Sequence, residues 1–591
     1  MTRELLLLPR PRKLERLAGP GPLRDAAPAA HARPSLGREA FTLTLDARGA
    51  WIEHGSDAGL CYARAALAQI AQQSGERLPA LRIEDAPDFA LRGYLLDISR
   101  DRVPTRDTLA RIVELMALLR LNHLQLYTEH TFAYTGHDAV WRDASPMTAD
   151  DVRWLDALCA ANGIELCANQ NSFGHMGRWL AHDAYRARAE CPDGFTTRLG
   201  ATFPPGCLAP TPENAELALG LCRELLGHHT SRRININCDE TFELGRGASA
   251  GEVAARGKAR VYLDHLFRVA NPLRADGSEV LFWGDMLRDH PALVRELPRD
   301  RLTALVWHYE RPLPESALPP ALAPMLGELG ITPRAFRGFE TQTEAFADAG
   351  FPFWVCPGTS TWNSLLGRWT NARENLRDAA RIGLARGARG YLITDWGDNG
   401  HSQPPSASWL PLAYGAALAW CGAANFDAEL APALDAFVFR DATRSLGALA
   451  IELAETYRGT GKHGFNGSPL FSALVRGALL GAFGETDPDA LQATLAQLER
   501  ALGQLPRARC ESREGELVQR ELAVATRLAR HGAWRMARAA GLAAPSATDL
   551  LRDHTEAIVA QRDAWLARSR PGGLADSLAQ LAPPSLADRR D

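Results

Sequence analysis

The sequence predicts an α/β protein built on a (β/α)8 TIM barrel, with a small N-terminal α/β domain before it and a C-terminal all-helical domain after it. Three observations carry this. Between residues 92 and 398, eight short apolar runs each end on a polar or aromatic tip and alternate with helical stretches, the rhythm of a parallel barrel. Ahead of residue 88 lies a different pattern, FTLTLDARGAWIEHG, which alternates as a hairpin does. Beyond residue 425 strand signals stop, and leucines recur every three or four positions.

Residues 1–88 form the N-terminal unit: the hairpin from residue 41, the helical stretch YARAALAQIAQQSG, then LPALRIEDAPDF. Residues 89–425 form the barrel. Its strands are expected at 92–99, 122–129, 164–171, 233–240, 279–286, 302–310, 351–358 and 390–398. Between the first two, TRDTLARIVELMALLR has apolar residues at helical spacing, and ADDVRWLDALCAANG precedes the third and ends on Asn162-Gly163. An open doubly wound sheet is the alternative, but its first turn is usually glycine-rich and here the first strand runs into DISRDRVP. Residues 426–570 read as helices, and 571–591 as a loose tail.

The 591 residues are 46% hydrophobic and 23% charged with a net charge of −4, a balance that calls for neither nucleic acid nor an anionic membrane as partner. Lys13, Lys258 and Lys462 are the only lysines, and the arginines form no basic block. The N-terminal MTRELLLLPRPRKLERLAG has four leucines in a row, short of the ~7–15 apolar residues of a signal peptide. No apolar run approaches the ~20 residues of a membrane helix. Ten scattered cysteines without paired spacing argue against a disulfide framework. The expectation is a cytoplasmic enzyme. The C-terminal helices leave a homo-oligomer open.

Barrel enzymes place their chemistry at the C-terminal ends of the strands. Those ends carry Asp97 and Arg100; Tyr127, Glu129 and His130; Asn169, Asn171 and His175; Asp239 and Glu240; Trp283 and Asp285; Trp307, Tyr309 and Glu310; Thr361, Trp362 and Asn363; Asp395, Trp396 and Asp398. A single strand tryptophan is more often core than sugar platform, and a lone strand-end acid more often caps a helix. Coincidence at most of the eight tips favours a sugar site, with aromatic faces for the ring and carboxylates and amides for its hydroxyls. Other motifs fail: GTGKHG at 459–464 lacks the first glycine of a phosphate loop and has His463 where Ser or Thr belongs. There is no HExxH, and adjacent His228 and His229 are read as solvent-facing. Alternation through Asn235, Asn237 and Asp239 puts these three on one face and turns Cys238 outward, into packing.

The segments LRGYLLDISRDRVPT, LRLNHLQLYTEHTF, the FGH of NQNSFGHMG, NCDETFELG, LFWGDM, VWHYE and TDWGDNGH resemble glycoside hydrolase family 20, the β-N-acetylhexosaminidases, and the likeness runs over roughly residues 40–420. The resemblance implies a cofactor-free, metal-free, exo-acting retaining hydrolase of terminal β-linked GlcNAc or GalNAc. It implies Glu240 as general acid/base and Asp239 as the anion that orients the 2-acetamido group, whose carbonyl is the nucleophile. This substrate assistance departs from the two-carboxylate scheme. It further implies Arg92 as the grip on the hydroxyls, His175 wired to the acid with Glu129 in the same network, and Tyr309 on the acetamido oxygen. Trp396 and Asp398 would bind outer hydroxyls, while Trp283, Trp307 and Trp362 wall the pocket. The sequence departs from the family in Asn-Cys before the acid pair, FGH for PGH, and LYTEHTF at the second tip. The expected partner is a short N-acetylhexosamine-terminated oligosaccharide or glycoconjugate fragment. A sugar-binding pseudoenzyme and a barrel glycosidase with a carboxylate nucleophile are the alternatives.

Overall fold

The computed structural model describes residues 5–196, 200, 202–314, 327, 333–475 and 482–581. In the N-terminal unit, strands β1 (Lys13–Arg16), β2 (Ala29–Ala32), β3 (Phe41–Asp46), β4 (Gly49–His54) and β5 (Leu81–Asp85) make one sheet in the order β1-β5-β3-β4-β2. The expected hairpin is β3–β4, paired from Phe41↔His54 to Asp46↔Gly49. The helix Asp57–Gln73 buries Tyr62, Ala63, Ala66 and Ile70 against Leu43, Leu45, Ile52 and Ile83 of the sheet. The leucine run has a packing role: Leu7 joins this core and Leu8 the barrel's. Gln69 fixes it, accepting from Leu8 N at 2.9 Å and donating to Leu8 O at 2.8 Å.

The barrel strands are β6 (Leu91–Asp97), β7 (His123–Tyr127), β8 (Glu165–Asn169), β11 (Arg233–Asn235), β12 (Glu279–Trp283), β13 (Leu302–Trp307), β14 (Phe353–Cys356) and β15 (Gly390–Asp395). A two-residue ladder, β9 (Phe195–Thr196) with β10 (Thr202–Phe203), decorates the connection after β8. The eight strands close as β11-β12-β13-β14-β15-β6-β7-β8. Alternate residues point inward to a cluster of Leu95, Cys167, Leu281, Leu305, Trp354 and Leu392, topped by Tyr127, Trp283, Trp362 and Trp396. The outward residues pack on the helices in a separate, larger core.

The fourth barrel strand is shorter than its alternation suggests. It ends at Asn235, and Asn237, Cys238 and Glu240 take left-handed φ values of 59°, 67° and 49°. The shared face predicted for Asn235, Asn237 and Asp239 therefore does not continue past the strand. Cys238 is fully buried beside Ser172 Oγ at 3.0 Å, in packing.

After the helix Pro405–Asn425, the helices Leu446–Ala454, Pro488–Gln504, Gly515–Ala539 and Ala547–Leu566 form the C-terminal region. A short antiparallel pair, β16 (His463–Gly464) with β17 (Ala482–Phe483), interrupts them. The expected loose tail is a correction as far as Leu581. Leu574–Gln580 is helical, Asp576 pairs with Arg178 at 2.8 Å, and Ser577 Oγ donates to Gly400 O. Residues 582–591 lie outside the described residues. Among the described residues no helix is long and apolar enough to cross a membrane.

Candidate active site

The acid pair sits on the loop that leaves β11, and its backbone is fixed before its side chains are. Asn237 N donates to Asn235 Oδ1 at 2.9 Å, Asn237 Nδ2 to Asn169 Oδ1 at 2.8 Å, and Trp283 Nε1 to Asn237 Oδ1 at 2.8 Å. Asp285 Oδ2 accepts the Glu240 N–H at 3.1 Å. These bonds offset the cost of left-handed backbone at non-glycine residues, about 1–3 kcal/mol each. The FGH loop closes from the other side. A Cβ on Gly174 would lie 2.2 Å from Asp239 O, so only glycine lets this backbone approach.

His175, itself at φ 53°, brings both acids onto one imidazole. Its Nε2 lies 3.2 Å from Asp239 Oδ2 and 3.5 Å from Glu240 Oε2. Arg100 Nη2 makes a longer contact, 3.4 Å, with Nδ1. Burial and Arg100 oppose a charge on the ring, but the Asp239 and Glu240 carboxylates outweigh them and hold its pKa well above the usual histidine range. The Asp239 side chain is 9% exposed and that of Glu240 33%, so Glu240 is the acid open to the mouth. Asp239 Oδ1 is buried and has no hydrogen-bond partner among the described residues, a group that calls for a ligand donor.

Arg100 ties this end to the rest of the pocket. Its Nη1 donates to Asp97 Oδ2 at 3.1 Å, its Nε lies 3.5 Å from Glu129 Oε1, and its guanidinium covers the rings of Tyr127 and Trp396 at 4.7 and 5.2 Å. Glu129 also accepts from Tyr127 OH at 3.0 Å, and burial raises its pKa. It thus faces Arg100, which stands between it and His175. Trp396 continues to Trp283 at 6.0 Å and Tyr309 at 6.3 Å; Tyr309 stacks on Trp307 at 5.0 Å and meets Trp362 edge-on at 5.2 Å. Gly358 is forced here too, since a Cβ would come within 2.4 Å of Trp362. Asp398, two residues past Trp396, has its pKa raised by burial against the pull of Arg100.

A family model described as glycosyl hydrolase family 20, domain 2, matches residues 6–86. Hexosaminidase D of Bos taurus is 24% identical over 301 residues, 49% of this chain and 79% of that protein. Hexosaminidase D of Homo sapiens is 28% identical over 224 residues, 36% of this chain and 42% of its own length. Among solved structures, the chitobiase of Flavobacterium johnsoniae superposes with a TM-score of 0.58 at 14% identity, over 97% of this chain and 98% of that one. The matched domain and the hexosaminidase D relatives support a member of glycosyl hydrolase family 20. A Vibrio harveyi family 20 exo β-N-acetylglucosaminidase in complex with N-acetylglucosamine reaches a TM-score of 0.54 at 15% identity, over 70% of this chain and 73% of that one. At such identities these superpositions speak for the fold.

The geometry gathers Asp239, Glu240, His175, Glu129, Trp283, Trp307, Tyr309, Trp362, Trp396 and Asp398 at one barrel mouth. Arg92 is the correction. It starts β6 at the opposite end of the barrel and is fully buried. It donates to Glu39 Oε2 at 2.8 Å, Phe89 O at 2.8 Å, Tyr62 OH at 3.0 Å and Arg120 O at 2.9 Å. It staples the N-terminal sheet to the barrel floor and cannot reach a sugar at the mouth. Arg100, eight residues on at the far end of the same segment, occupies the position expected of Arg92. Two more residues were not singled out for roles. Asp97 Oδ2 holds both Arg100 and the Gly397 N–H at 2.9 Å. Asp285 carries the Glu240 backbone, and burial together with the Asp239 charge pushes its carboxyl up to about 7.

Proposed function

We propose that the protein is an exo-acting β-N-acetylhexosaminidase that removes terminal β-linked GlcNAc or GalNAc with retention, using the substrate's own acetamide as nucleophile. The observation that carries this is the pair of neighbouring carboxylates on one imidazole nitrogen. In a two-carboxylate retaining enzyme the acids flank the scissile bond, about 5–5.5 Å apart. Here they stand side by side, which suits one proton carrier and one fixed anion. The names of the relatives, hexosaminidase D in both mammals, and the N-acetylglucosamine held by the Vibrio harveyi protein support the sugar class.

The steps assign each group a task. Glu240, the more open acid, gives its proton to the glycosidic oxygen as the acetamide carbonyl oxygen attacks C1 and the C1–O bond breaks. Asp239 accepts the acetamide N–H through its unpartnered oxygen and offsets the positive charge that spreads over the resulting oxazolinium ring. Glu240, now ionised, then takes a proton from water as it attacks C1, the ring opens and the sugar leaves with its configuration kept. His175, cationic between the acids, holds both in register. The four aromatic side chains Trp283, Tyr309, Trp362 and Trp396 wall the acetamide and exclude water from the intermediate.

The test is hydrolysis of 4-nitrophenyl β-GlcNAc, β-GalNAc and β-glucoside by the purified protein, with Glu240→Gln as control. Cleavage of an acetamido sugar, lost in the variant, with silence on the glucoside is the expected result. Cleavage of the glucoside at a comparable rate overturns substrate assistance.

A further inference from the structure

The helical domain packs beside the barrel, and one of its loops enters the mouth. The segment Gly464–Ser468 lies on the tips of β13, β14 and β15. Asn466 N donates to Glu310 Oε1 at 2.7 Å, Asn363 Nδ2 to Asn466 O at 3.0 Å, and Ser468 N to Asn363 O at 2.8 Å. Phe465 meets Phe336 at 5.8 Å, and Arg368, 1% exposed, pairs with Glu310 at 2.9 Å beneath them. Asn466 itself is left-handed, φ 51°, a conformation that asparagine tolerates better than most residues.

This clamp fixes where the Asn466 amide points. Its Oδ1 accepts from Trp362 Nε1 at 2.7 Å, and its Nδ2 lies 3.4 Å from Asp398 Oδ2. An indole N–H only donates and a carboxylate only accepts, so the two partners leave one orientation of the amide. The NH2 group therefore stands beside the Asp398 carboxylate, half-buried at the rim of the pocket. Asp398 stands two residues past Trp396, whose ring packs on Tyr127 and Trp283 at the mouth.

The barrel order gives the pair its place relative to the chemistry. Glu240 follows β11 and Asp398 follows β15, and in the closed ring β11-β12-β13-β14-β15-β6-β7-β8 these strands are four apart, on opposite sides. C1 and C4 are likewise opposite corners of a pyranose. A sugar with C1 at Glu240 carries its C4 toward Asp398 and Asn466. A hydroxyl both donates and accepts, and a carboxylate beside an amide NH2 satisfies both roles at once. GlcNAc and GalNAc differ only in whether the C4 hydroxyl is equatorial or axial.

We propose that Asn466, delivered by the helical domain, binds the C4 hydroxyl together with Asp398 and sets the preference between the two epimers. This rests on the hexosaminidase reading above. Asn466→Gly is the first variant, because glycine keeps the left-handed backbone and deletes only the amide. Asn466→Asp is the second; it keeps an oxygen for Trp362 and puts an acceptor where the donor stood. Michaelis parameters on 4-nitrophenyl β-GlcNAc and β-GalNAc are read beside the thermal midpoint.

The expected result is a rise in KM of about tenfold, as for one lost hydrogen bond to a charged-site hydroxyl, with the GlcNAc:GalNAc ratio of kcat/KM moved at least about fivefold and Asn466→Asp worse on the preferred epimer. An unchanged ratio overturns the proposal, whether or not the midpoint falls, because it reduces Asn466 to a strut between domains. Equilibrium binding of free GlcNAc and GalNAc, followed by tryptophan fluorescence, separates this from the activity itself. If the wild type binds but does not hydrolyse, the hexosaminidase reading fails, while a shifted affinity ratio in Asn466→Gly still upholds the C4 contact and an unshifted one overturns it. Absence of both binding and hydrolysis overturns both.

Discussion

Asp239→Asn keeps the shape of the side chain and removes its charge, so it isolates electrostatics from packing. Asp239 is 6% exposed, and the proposed intermediate brings a positive acetamide against it. Two unit charges about 4 Å apart interact by ~4 kcal/mol at an effective dielectric of about 20. The variant amide retains part of that as a dipole, which leaves a loss of about 3–4 kcal/mol, or roughly 10²–10³ in kcat. The charge exists only on the way to the intermediate, so KM should stay within about threefold. His175 would lose its nearer anion, at 3.2 Å, and keep Glu240 at 3.5 Å. Its pKa then falls back toward the ordinary range, and the pH–rate profile changes on its alkaline side. Steady-state hydrolysis of 4-nitrophenyl β-GlcNAc across pH 4–9 reads all three quantities. A drop in kcat of less than tenfold, or a β-glucosidase activity that falls by the same factor, refutes the assignment.

Arg100→Lys should lower kcat/KM about 100-fold with an unchanged thermal midpoint, because lysine cannot hold Asp97, Glu129 and the Trp396 face together; Arg92→Ala should instead cost about 3–5 kcal/mol of stability by leaving Phe89 O and Arg120 O without their donor and half-buried Glu39 without its cation, and unaltered stability would count against the staple. Deletion of residues 572–591 removes the Gly573 packing on Asp101, the Asp576–Arg178 pair and the Ser577–Gly400 bond, and should lower kcat/KM about 10- to 100-fold by loosening the loops of Arg100 and Asp398; full activity in the truncated chain would dismiss the brace. Asp285 is held up to about 7 by burial and Asp239, above an unfolded value of about 3.9, so its stabilising share is complete below the unfolded value and is lost as pH rises toward 7. The midpoint of Asp285→Asn minus that of the wild type should therefore increase by about 2 °C or more from pH 5 to pH 8, and a difference that stays flat over that range contradicts it.

The barrel was legible because strands buried on both faces read as unbroken apolar runs, and each of the eight runs overlaps a strand of the closed ring. The acid pair stood out on the same runs, because two adjacent carboxylates at the end of a buried strand are costly unless paired or hydrogen-bonded, and the structure sets both against His175. The arginine was misassigned although the sequence held the signal. Arg92 and Arg100 bracket one strand, and the rule that barrel chemistry sits at C-terminal strand ends points to Arg100. The edge strands β1 and β2 were missed because KLER and AAHA carry no alternation, being mostly exposed. Asn466 left no trace at all. Its partners, Glu310, Trp362 and Asp398, lie 68 to 156 residues away, and neither spacing nor composition records a contact between a helical domain and a barrel rim.

That rim explains why the chain carries so much structure beyond its barrel. Left-handed backbone recurs around the mouth at Asp101, His175, Asn237, Cys238, Glu240, Ser360, Asn363, Asn399, His401 and Asn466. Conformations of this kind persist only where surrounding contacts over-determine them. The inner ones are held by the barrel itself, through Asn169, Trp283 and Asp285. The outer ones are held from the C-terminal side. Asn363 is bonded to the Gly464–Ser468 loop and to Asn399, while Asp101 and Gly400 are pressed by Gly573 and Ser577. Arg100 and Asp398, the two charged side chains next to these outer turns, cannot be set by the barrel strands alone, because each begins where its strand has already ended. The helical domain is thus part of the positioning of the pocket: Gly464–Ser468 braces the Asp398 side, and Gly573–Ser577 braces Asp101 beside Arg100 and Gly400 beyond Asp398.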